Sequence, residues 1–340
     1  MPEIYRRAGV PLDASMKPPV FVVGCPRSGT TLLYHMLLSS GGFAVYRSET
    51  NVFNLLAPRF GDFRSSANRR NLMAHWLRSK LFEVSGLEAG EIEAAIMNHC
   101  HSGGDFLRIV MESVARKQGV DRWADSTPDH LLYLAEIRAQ LPGAYVIHII
   151  RDGRDVALSY ARQGWSYPLP WDRRQSLAVA GLYWEWIIKK GRKLGEGFGP
   201  RYREVRFEEL VARPRETLKE LGEFIGHDLD YDRIQGAAIG SVSEPNTSFA
   251  GEAGREGFHP VSRWKSKMSA VEIADFEGVV GDFLSELGYP LAAGATPRRS
   301  VQALRLRATY LALFETKHWL RTHTPLGRLS HIGRMMLAEE

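Results

Sequence analysis

A short loop after an apolar run has the residue types and the spacing of a phosphate-binding site. Residues 20–23 predict a buried strand, and residues 24–29 form a loop with glycine at each end and Arg27 inside it. Thr30 and Thr31 follow, and then apolar residues recur at helical spacing. A strand, a loop and a helix in this order direct backbone N–H groups and a helix N-terminus at a phosphate. The glycine spacing matches a Walker loop, but Thr30 stands where that loop has Lys, so the sequence predicts an anion cradle that is not built for ATP with magnesium.

A second anion site is predicted after the apolar residues 144–150. This run again predicts a buried strand, and Arg151 follows it directly, with Ser159 eight residues later. The carboxyl end of a strand in an open parallel sheet faces the ligand crevice, where the guanidinium of Arg151 can chelate phosphate oxygens. Eight residues are close to two turns of helix, so Ser159 is expected on the same side as Arg151. The alternative is that Arg151 and Asp152 simply pair with each other.

Residues 25–33, Cys-Pro-Arg-Ser-Gly-Thr-Thr-Leu-Leu, resemble the 5′-phosphosulfate loop of sulfotransferases that use 3′-phosphoadenosine 5′-phosphosulfate (PAPS). The branch that they resemble is bacterial and similar to the protein-tyrosine sulfotransferases. The segment that begins with Arg151 looks like the 3′-phosphate site of the same family. Arg263 before Trp264 is similar to its basic residue that reaches the nucleotide phosphates. The resemblance spans about residues 20–287, and it implies an α/β fold in which helices flank a P-loop-like parallel sheet.

The resemblance also implies roles for these residues in sulfuryl transfer from PAPS, which leaves 3′-phosphoadenosine 5′-phosphate (PAP) as the product. Arg27 would stabilise charge on the bridging oxygen and the sulfonate. Glu49, 22 positions later, matches the catalytic base of the tyrosine-sulfating branch, and its alternative is an exposed loop carboxylate. No metal is expected, because arginine replaces the usual cation. The residues implied to bind the co-substrate are Arg27, Ser28, Gly29, Thr30, Thr31, Arg151, Ser159 and Arg263.

Two positions differ from the resembled pattern. Ser126 precedes Thr127-Pro128 where the family usually has Lys, and Phe207 stands where it usually has Tyr. That Lys helps to neutralise the leaving phosphate, so Ser126 favours one alternative function, a protein that binds PAP or another nucleotide without catalysis. The other alternative is a small-molecule kinase with a degenerate P-loop.

The remaining sequence divides into one domain and a tail. Residues 1–290 form the predicted sulfotransferase domain, with further short strands at 43–46 and 202–207. Residues 51–122 predict a helical insertion that covers the mouth of the active site as a lid for the acceptor. Residues 291–340 form a basic amphipathic extension with eight Lys or Arg against three Asp or Glu. Such an extension binds a membrane surface or a partner, or it packs back on the body.

The charge, hydropathy and cysteine content of the chain predict its cellular compartment and the classes of partner that it binds. The net charge is +5, and the basic excess lies in the tail, so nucleic-acid binding is not expected. No apolar run approaches about 18 residues, and residues 1–17 lack the apolar core of a signal peptide, so the prediction is a cytoplasmic protein whose tail alone touches a membrane. The two cysteines support no disulfide framework.

The expected acceptor is a hydroxyl or amine of a small molecule, lipid or glycan, and the aromatic residues at 163–171 either line its pocket or pack on the body.

Overall fold

The computed structural model describes residues 15–242, 259–292 and 300–329 of the 340-residue chain. Its sheet contains β1 Val20–Gly24, β2 Ala124–Asp125, β3 Tyr145–Ile150 and β4 Tyr202–Arg206. The α-helices in these ranges are α1 Thr30–Ser39, α2 Ala57–Phe60, α3 Ser66–Trp76, α4 Lys80–Ser85, α5 Ala89–His99, α6 Gly103–Lys117, α7 Leu134–Gln140, α8 Gly153–Arg162, α9 Ser176–Gly195, α10 Phe207–Ala212, α11 Pro214–Ile225, α12 Tyr231–Ala237, α13 Trp264–Lys267, α14 Ala270–Glu286 and α15 Val301–His323. A short π-helix spans Val52–Leu56. Short 3₁₀ helices span Pro128–Tyr133, Pro170–Gln175, Glu196–Arg201, Gly240–Val242 and Pro325–Leu329.

The sheet is parallel, with the strand order β2-β1-β3-β4. Gly24 of β1 pairs with Ile149 of β3, and Ile150 pairs with Arg206 of β4, so these three strands end at the same edge. Helices flank this sheet, which confirms the predicted fold class. The runs predicted as strands at 20–23 and 144–150 correspond to β1 and β3, because buried parallel strands are apolar on both faces.

Alternate residues of β1 enter two separate hydrophobic clusters. Phe21 lies in a cluster with Trp184 of α9. Val22 lies in a second cluster with Leu37 of α1 and Leu221 of α11. Successive side chains of a strand point to opposite faces, so each face of the sheet is covered by its own helices. The two covered faces leave the carboxyl edge of the sheet as the place where a ligand can approach the backbone.

The strand predicted at residues 43–46 was wrong. Only Phe43 forms a β-bridge there, with Arg122, and it lies outside the named strands. The Val45 N–H donates to Oε1 of Gln118 over 2.7 Å, and Gln118 Nε2 donates back to the Val45 carbonyl over 3.0 Å. A side-chain amide therefore takes the place that a neighbouring strand would fill. The apolar sequence of this segment reflects burial and not sheet pairing.

The described part of the C-terminal tail packs against the body. Leu306 and Tyr310 of α15 are buried, and Arg307 forms an ion pair of 2.5 Å with Glu185 of α9. The Tyr310 hydroxyl accepts a hydrogen bond of 2.6 Å from the Leu169 N–H. One face of this helix therefore packs on the body, while Leu313 and Trp319 stay exposed. Within the ranges that the structure describes, no helix has the length and apolar character needed to cross a membrane.

Candidate active site

The loop between β1 and α1 has the shape of an anion cradle. Arg27 has φ 72° and Gly29 has φ 98°, so the chain turns sharply before α1 begins at Thr30. A Cβ at Gly29 would lie 2.4 Å from Cδ2 of Phe207, and its left-handed backbone disfavours any side chain. No side chain caps the N-terminus of α1, so its first N–H groups face the loop.

Ser28 inside this loop has the burial and the unmet hydrogen bond of an anion-binding group. Its side chain is fully buried, and among the described residues its Oγ has no hydrogen-bond partner. Buried hydroxyls are nearly always hydrogen-bonded, so an unpaired one is a candidate for contact with a bound ligand or an ordered water. Thr30 and Thr31 follow at the start of α1, with Thr30 buried. The loop predicted from the sequence is therefore present with the hydroxyl groups that an anion requires.

Arg27 joins the loop to the helix that follows β3. Its Nε donates to the hydroxyl of Ser159 in α8 over 2.9 Å. Its guanidinium also lies 5.6 Å from the ring centroid of Trp165, an arrangement that cation–π attraction favours. Burial and the nearby charge of Arg151 lower the pKa of Arg27. Two guanidinium groups held close together make this edge of the sheet attractive to anions.

Arg151 lies directly after β3, as predicted, and touches the loop. Its Nη1 donates to the carbonyl oxygen of Arg27 over 3.1 Å, and its Nη2 donates to the carbonyl of Pro260 over 2.6 Å. The guanidinium lies 4.5 Å from the ring centroid of Phe207. Asp152 forms its close ion pair with Arg154 at 2.8 Å. The alternative of a simple pair between Arg151 and Asp152 therefore does not describe the main contacts of either side chain.

Arg263 reaches the same region through a turn that sequence reasoning missed. The carboxylate of Asp155 accepts hydrogen bonds from the N–H groups of Ser262 and Trp264, over 2.8 and 2.9 Å. The same carboxylate lies 3.8 Å from the guanidinium of Arg151. Arg263 is buried, and its charge lowers the pKa of Arg151 further after the effect of burial. Asp155 thus anchors the turn that carries Arg263. In the sequence, its position four residues after Arg151 was the feature that could have indicated this contact.

Glu49 lies within electrostatic range of Arg27 and has a raised pKa. Its side chain is exposed to solvent in the loop before Thr50, although protein atoms crowd around the carboxyl group. This crowding raises the pKa of Glu49 to about 7, and the charges of Asp129 and Asp125 add to the effect. A hydrogen bond from Asn51 and the charge of Arg27 oppose it. A carboxyl group with this pKa can exchange a proton near neutral pH.

A buried hydrogen-bond network fixes the residues that follow Glu49. The Thr50 hydroxyl donates to Oδ2 of Asp125 over 2.5 Å, and the Thr50 N–H donates to Oγ1 of Thr127 over 3.0 Å. Nδ1 of His130 lies 2.7 Å from Oδ1 of Asp125. Burial alone would raise the pKa of Asp125, but the charge of His130 and these hydrogen bonds outweigh it and lower the pKa. Sequence reasoning did not predict this network, because Thr50 and Asp125 lie far apart in the chain.

The position before Thr127 holds a buried serine. Ser126 is 6% exposed, and in the described part of the chain its Oγ has no hydrogen-bond partner. The side chain therefore supplies a neutral hydroxyl where the resembled pattern has a cation. Across the described ranges, no group of three or more His, Cys, Asp or Glu side chains could hold a metal ion.

The fold and the loop define an α/β protein with a P-loop-like anion cradle at the carboxyl edge of a parallel sheet. The family model described as the sulfotransferase family matches residues 18–231, so the chain belongs to the sulfotransferase family. It is therefore a sulfotransferase, an enzyme that transfers a sulfuryl group, and the resemblance seen in the sequence is confirmed. This assignment also favours sulfuryl transfer over the kinase alternative.

The fold is similar to that of a solved sulfotransferase domain, and two further solved structures match at lower TM-scores. The sulfotransferase domain of the olefin synthase from Synechococcus PCC 7002 is 16% identical, with a TM-score of 0.52 over 89% of this chain and 98% of that domain. The sulfotransferase domain of the curacin biosynthetic pathway is 16% identical, with a TM-score of 0.48 over 81% of this chain and 99% of that domain. Retinol dehydratase in complex with androsterone and the inactive cofactor PAP is 15% identical, with a TM-score of 0.40 over 80% of this chain and 82% of that one. None of the curated proteins matches the chain significantly.

Proposed function

We propose that this enzyme transfers the sulfuryl group of PAPS to a hydroxyl or amine, with Glu49 as the general base. The observation that carries the proposal is the position of Arg27, which bonds to Ser159 through Nε and to Arg151 through its carbonyl oxygen. A donor with phosphates at both the 5′ and the 3′ positions matches two neighbouring anion sites, the loop after β1 and the region of Arg151 and Ser159, which Arg27 connects. Retinol dehydratase binds PAP as an inactive cofactor, and for this chain we propose PAPS as the donor and PAP as the product.

Each anion site has a separate task in this proposal. Backbone N–H groups of the loop and the hydroxyls of Ser28, Thr30 and Thr31 bind the 5′-phosphate. Gly29 lets the backbone approach it closely. Arg151, Ser159 and Arg263 bind the 3′-phosphate, and this contact selects PAPS over ATP. The sites need no metal ion, because arginine guanidinium groups supply the positive charge.

Transfer is a single in-line displacement at sulfur. The acceptor oxygen or nitrogen forms a bond to sulfur, and the bond between sulfur and the 5′-phosphate oxygen breaks. The acceptor proton passes to the carboxylate of Glu49, while Arg27 stabilises the charge that develops on the bridging oxygen and the sulfonate. Catalysis therefore depends on positioning and on charge stabilisation, as in phosphoryl transfer.

The acceptor is proposed to be a small molecule, a lipid or a glycan. Trp165 lies beside Arg27 and is 43% exposed, so it offers aromatic surface near the loop, and Trp171 later in the same segment is 68% exposed. Residues 51–122 stay a predicted lid over this region.

We also propose that α15 touches a membrane peripherally from the cytoplasm, since Leu313 and Trp319 are exposed near Lys317. Sedimentation with anionic vesicles at low salt tests that contact, and unchanged retention of a Leu313→Glu variant would contradict it.

A second candidate is a protein that binds PAP without turnover. The buried, neutral Ser126 favours it, because a cation that would assist the leaving group is missing there. Calorimetric titration with PAP, PAPS, ATP and ADP, with and without magnesium, tests the choice of nucleotide. Incubation of radiolabelled PAPS with a panel of phenols, sugars and lipid alcohols then tests turnover. Tight PAPS binding without any turnover on this panel would favour the second candidate.

A further inference from the structure

The last turn of α15 contacts the segment that carries Glu49. Arg321 lies in this turn, and its Nη2 donates to the carbonyl oxygen of Asn54 over 2.5 Å. Asn54 belongs to the π-helical turn Val52–Leu56, which begins three residues after Glu49. Arg321 lies 267 positions from Asn54 and outside residues 18–231, which the family model matches. A part of the chain beyond the family match thus contacts the segment that follows the candidate base.

Hydrogen bonds continue from Asn54 to the backbone of Glu49. The Asn54 Nδ2 donates to Oδ1 of Asn51 over 2.8 Å, and Asn51 Nδ2 donates to the Glu49 carbonyl over 3.3 Å. Asn51 is buried and has φ 51°, a left-handed conformation that asparagine tolerates when its side chain is bonded locally. The direction of the chain at Glu49 therefore depends on the contacts that hold Asn51 and Asn54.

Charged groups connect the same helix to Glu49 by a second route. Asp129, in the short helix Pro128–Tyr133, is half-buried, and the side chain of Asn54 lies close enough to favour its ionised form. Burial raises the pKa of Asp129, and the charge of Arg321 is the largest of the effects that oppose this, followed by His130, Asn54 and Lys317. The charge of Asp129 in turn raises the pKa of Glu49, after the effect of burial and together with Asp125, against Asn51 and Arg27.

We propose that Arg321 is a positioning residue for Glu49, and that α15 completes the acceptor side of the active site through its hydrogen bond to the Asn54 carbonyl. This inference rests on the proposed function, because the role of Glu49 as the base is itself proposed. Arg321 does not touch the acceptor in this arrangement. It holds the turn after Glu49 and favours the ionised form of the neighbouring Asp129.

The direction in which the pKa of Glu49 shifts when Arg321 is replaced distinguishes an effect through Asp129 from a direct effect of the Arg321 charge on Glu49. Replacement of Arg321 by Met lets Asp129 take up a proton more readily, and a neutral Asp129 no longer raises the pKa of Glu49. Glu49 then loses its proton at lower pH. Asp129→Asn removes the same charge directly and shifts Glu49 in the same direction. A cation that acted only on Glu49 would give the opposite shift when it was removed.

The experiment compares Arg321→Met, Arg321→Lys and Asp129→Asn in the full-length protein. The control is Arg307→Met, which removes the ion pair that anchors the same helix to Glu185. The titration of Glu49 is followed by NMR of protein labelled with ¹³C at the glutamate carboxyl, with the resonance assigned by its loss in Glu49→Gln. Turnover of radiolabelled PAPS is measured from pH 5 to 9 with the best acceptor of the panel.

Arg321→Met is expected to lower kcat about tenfold to a hundredfold, because small displacements of a catalytic group cost rates of this order. PAP affinity and the KM for PAPS are expected to stay unchanged. The Glu49 titration and the acidic limb of the pH profile move to lower pH in Arg321→Met and in Asp129→Asn, and Arg321→Lys restores both. Arg307→Met lowers the thermal unfolding temperature without either shift.

Two results would overturn the inference. One is an unchanged Glu49 titration in both Arg321→Met and Asp129→Asn. The other is the same shift in Arg307→Met, which would reduce Arg321 to an anchor of the helix. Full turnover in Glu49→Gln would instead contradict the proposed base, and the NMR titration would still decide whether Arg321 acts on this carboxyl group. If no acceptor of the panel reacts, the same titration decides.

Discussion

The Arg27 Nε donates a hydrogen bond of 2.9 Å to the hydroxyl of Ser159, 132 positions later in the chain. This bond joins the loop after β1 to the helix after β3. Arg151 adds a second connection when its guanidinium donates to the Arg27 carbonyl over 3.1 Å. The proposed 5′ and 3′ anion sites are therefore linked before any ligand binds, and a change in one of them is expected to affect the other.

The first prediction concerns the choice of nucleotide. In the unmodified protein PAP is expected to bind far better than AMP without magnesium, because Arg151 is proposed to contact the 3′-phosphate. Loss of a charge-assisted contact typically costs about 1.5–3 kcal/mol, which is roughly tenfold to a hundredfold in affinity. Arg151→Ala is expected to remove most of this preference and to leave AMP binding little changed, as measured by calorimetry.

The control for this variant is Arg215→Ala, which removes an exposed arginine of α11 that pairs with Asp232 of α12. It is expected to leave the preference for PAP intact. Equal affinity of PAP and AMP in the unmodified protein would refute the assignment of the 3′-phosphate site.

The second prediction concerns the shape of the loop. Gly29→Ala places a Cβ 2.4 Å from Phe207 in a left-handed backbone, where a side chain costs about 1–2 kcal/mol. The loop must shift to relieve the contact, so PAP affinity is expected to fall about tenfold or more. Gly278→Ala is the matched control, because a Cβ there meets no atom within 4 Å and α14 gains up to about 1 kcal/mol in stability. Unchanged PAP binding in Gly29→Ala would exclude close approach of the loop to the ligand.

The strands that carry the two proposed anion sites were predictable because each depends on a local pattern. The apolar runs of β1 and β3, with Arg27 and Arg151 after them, indicate both the strands and the edge of the sheet at which these two arginines meet. The segment at 43–46 has a similar apolar pattern but is not a strand, since Gln118 satisfies its backbone. Hydropathy cannot distinguish burial against a side-chain amide from burial in a sheet.

The surroundings of Glu49 were not predictable, because they are built from distant residues. Thr50, Asp125 and His130 form one network, although each has an ordinary sequence context. Arg321 adds a contact from a tail whose basic residues, in sequence, indicated a membrane or a partner as readily as the protein body. Only tertiary packing decides how far a carboxyl group is buried and which charges surround it, and burial followed by the nearby Asp129 and Asp125 raises the pKa of Glu49.

The third prediction concerns stability and pH. The pKa of Glu49 is raised to about 7 in the folded protein, so the folded state holds this proton more tightly than the unfolded chain. Stability is therefore expected to fall as the pH rises from the unfolded value towards 7, because deprotonation favours the unfolded state. Glu49→Gln removes this effect. Its thermal unfolding temperature is expected to exceed that of the unmodified protein at pH 8 and to match it near pH 4, below both pKa values. A constant difference at both pH values would show that the pKa of Glu49 is not raised.

The last prediction separates catalysis from binding. Glu49→Gln keeps the size of the side chain and removes its basicity, and a general base typically contributes about a hundredfold to ten-thousandfold in rate. Turnover of radiolabelled PAPS is expected to fall by this factor, whereas PAP affinity in calorimetry stays nearly unchanged. This combination identifies an interaction made in the transition state and not in the binding of the co-substrate. Normal turnover in the variant would remove Glu49 from the mechanism and direct attention to Asp125 and His130, which lie beside the altered Ser126.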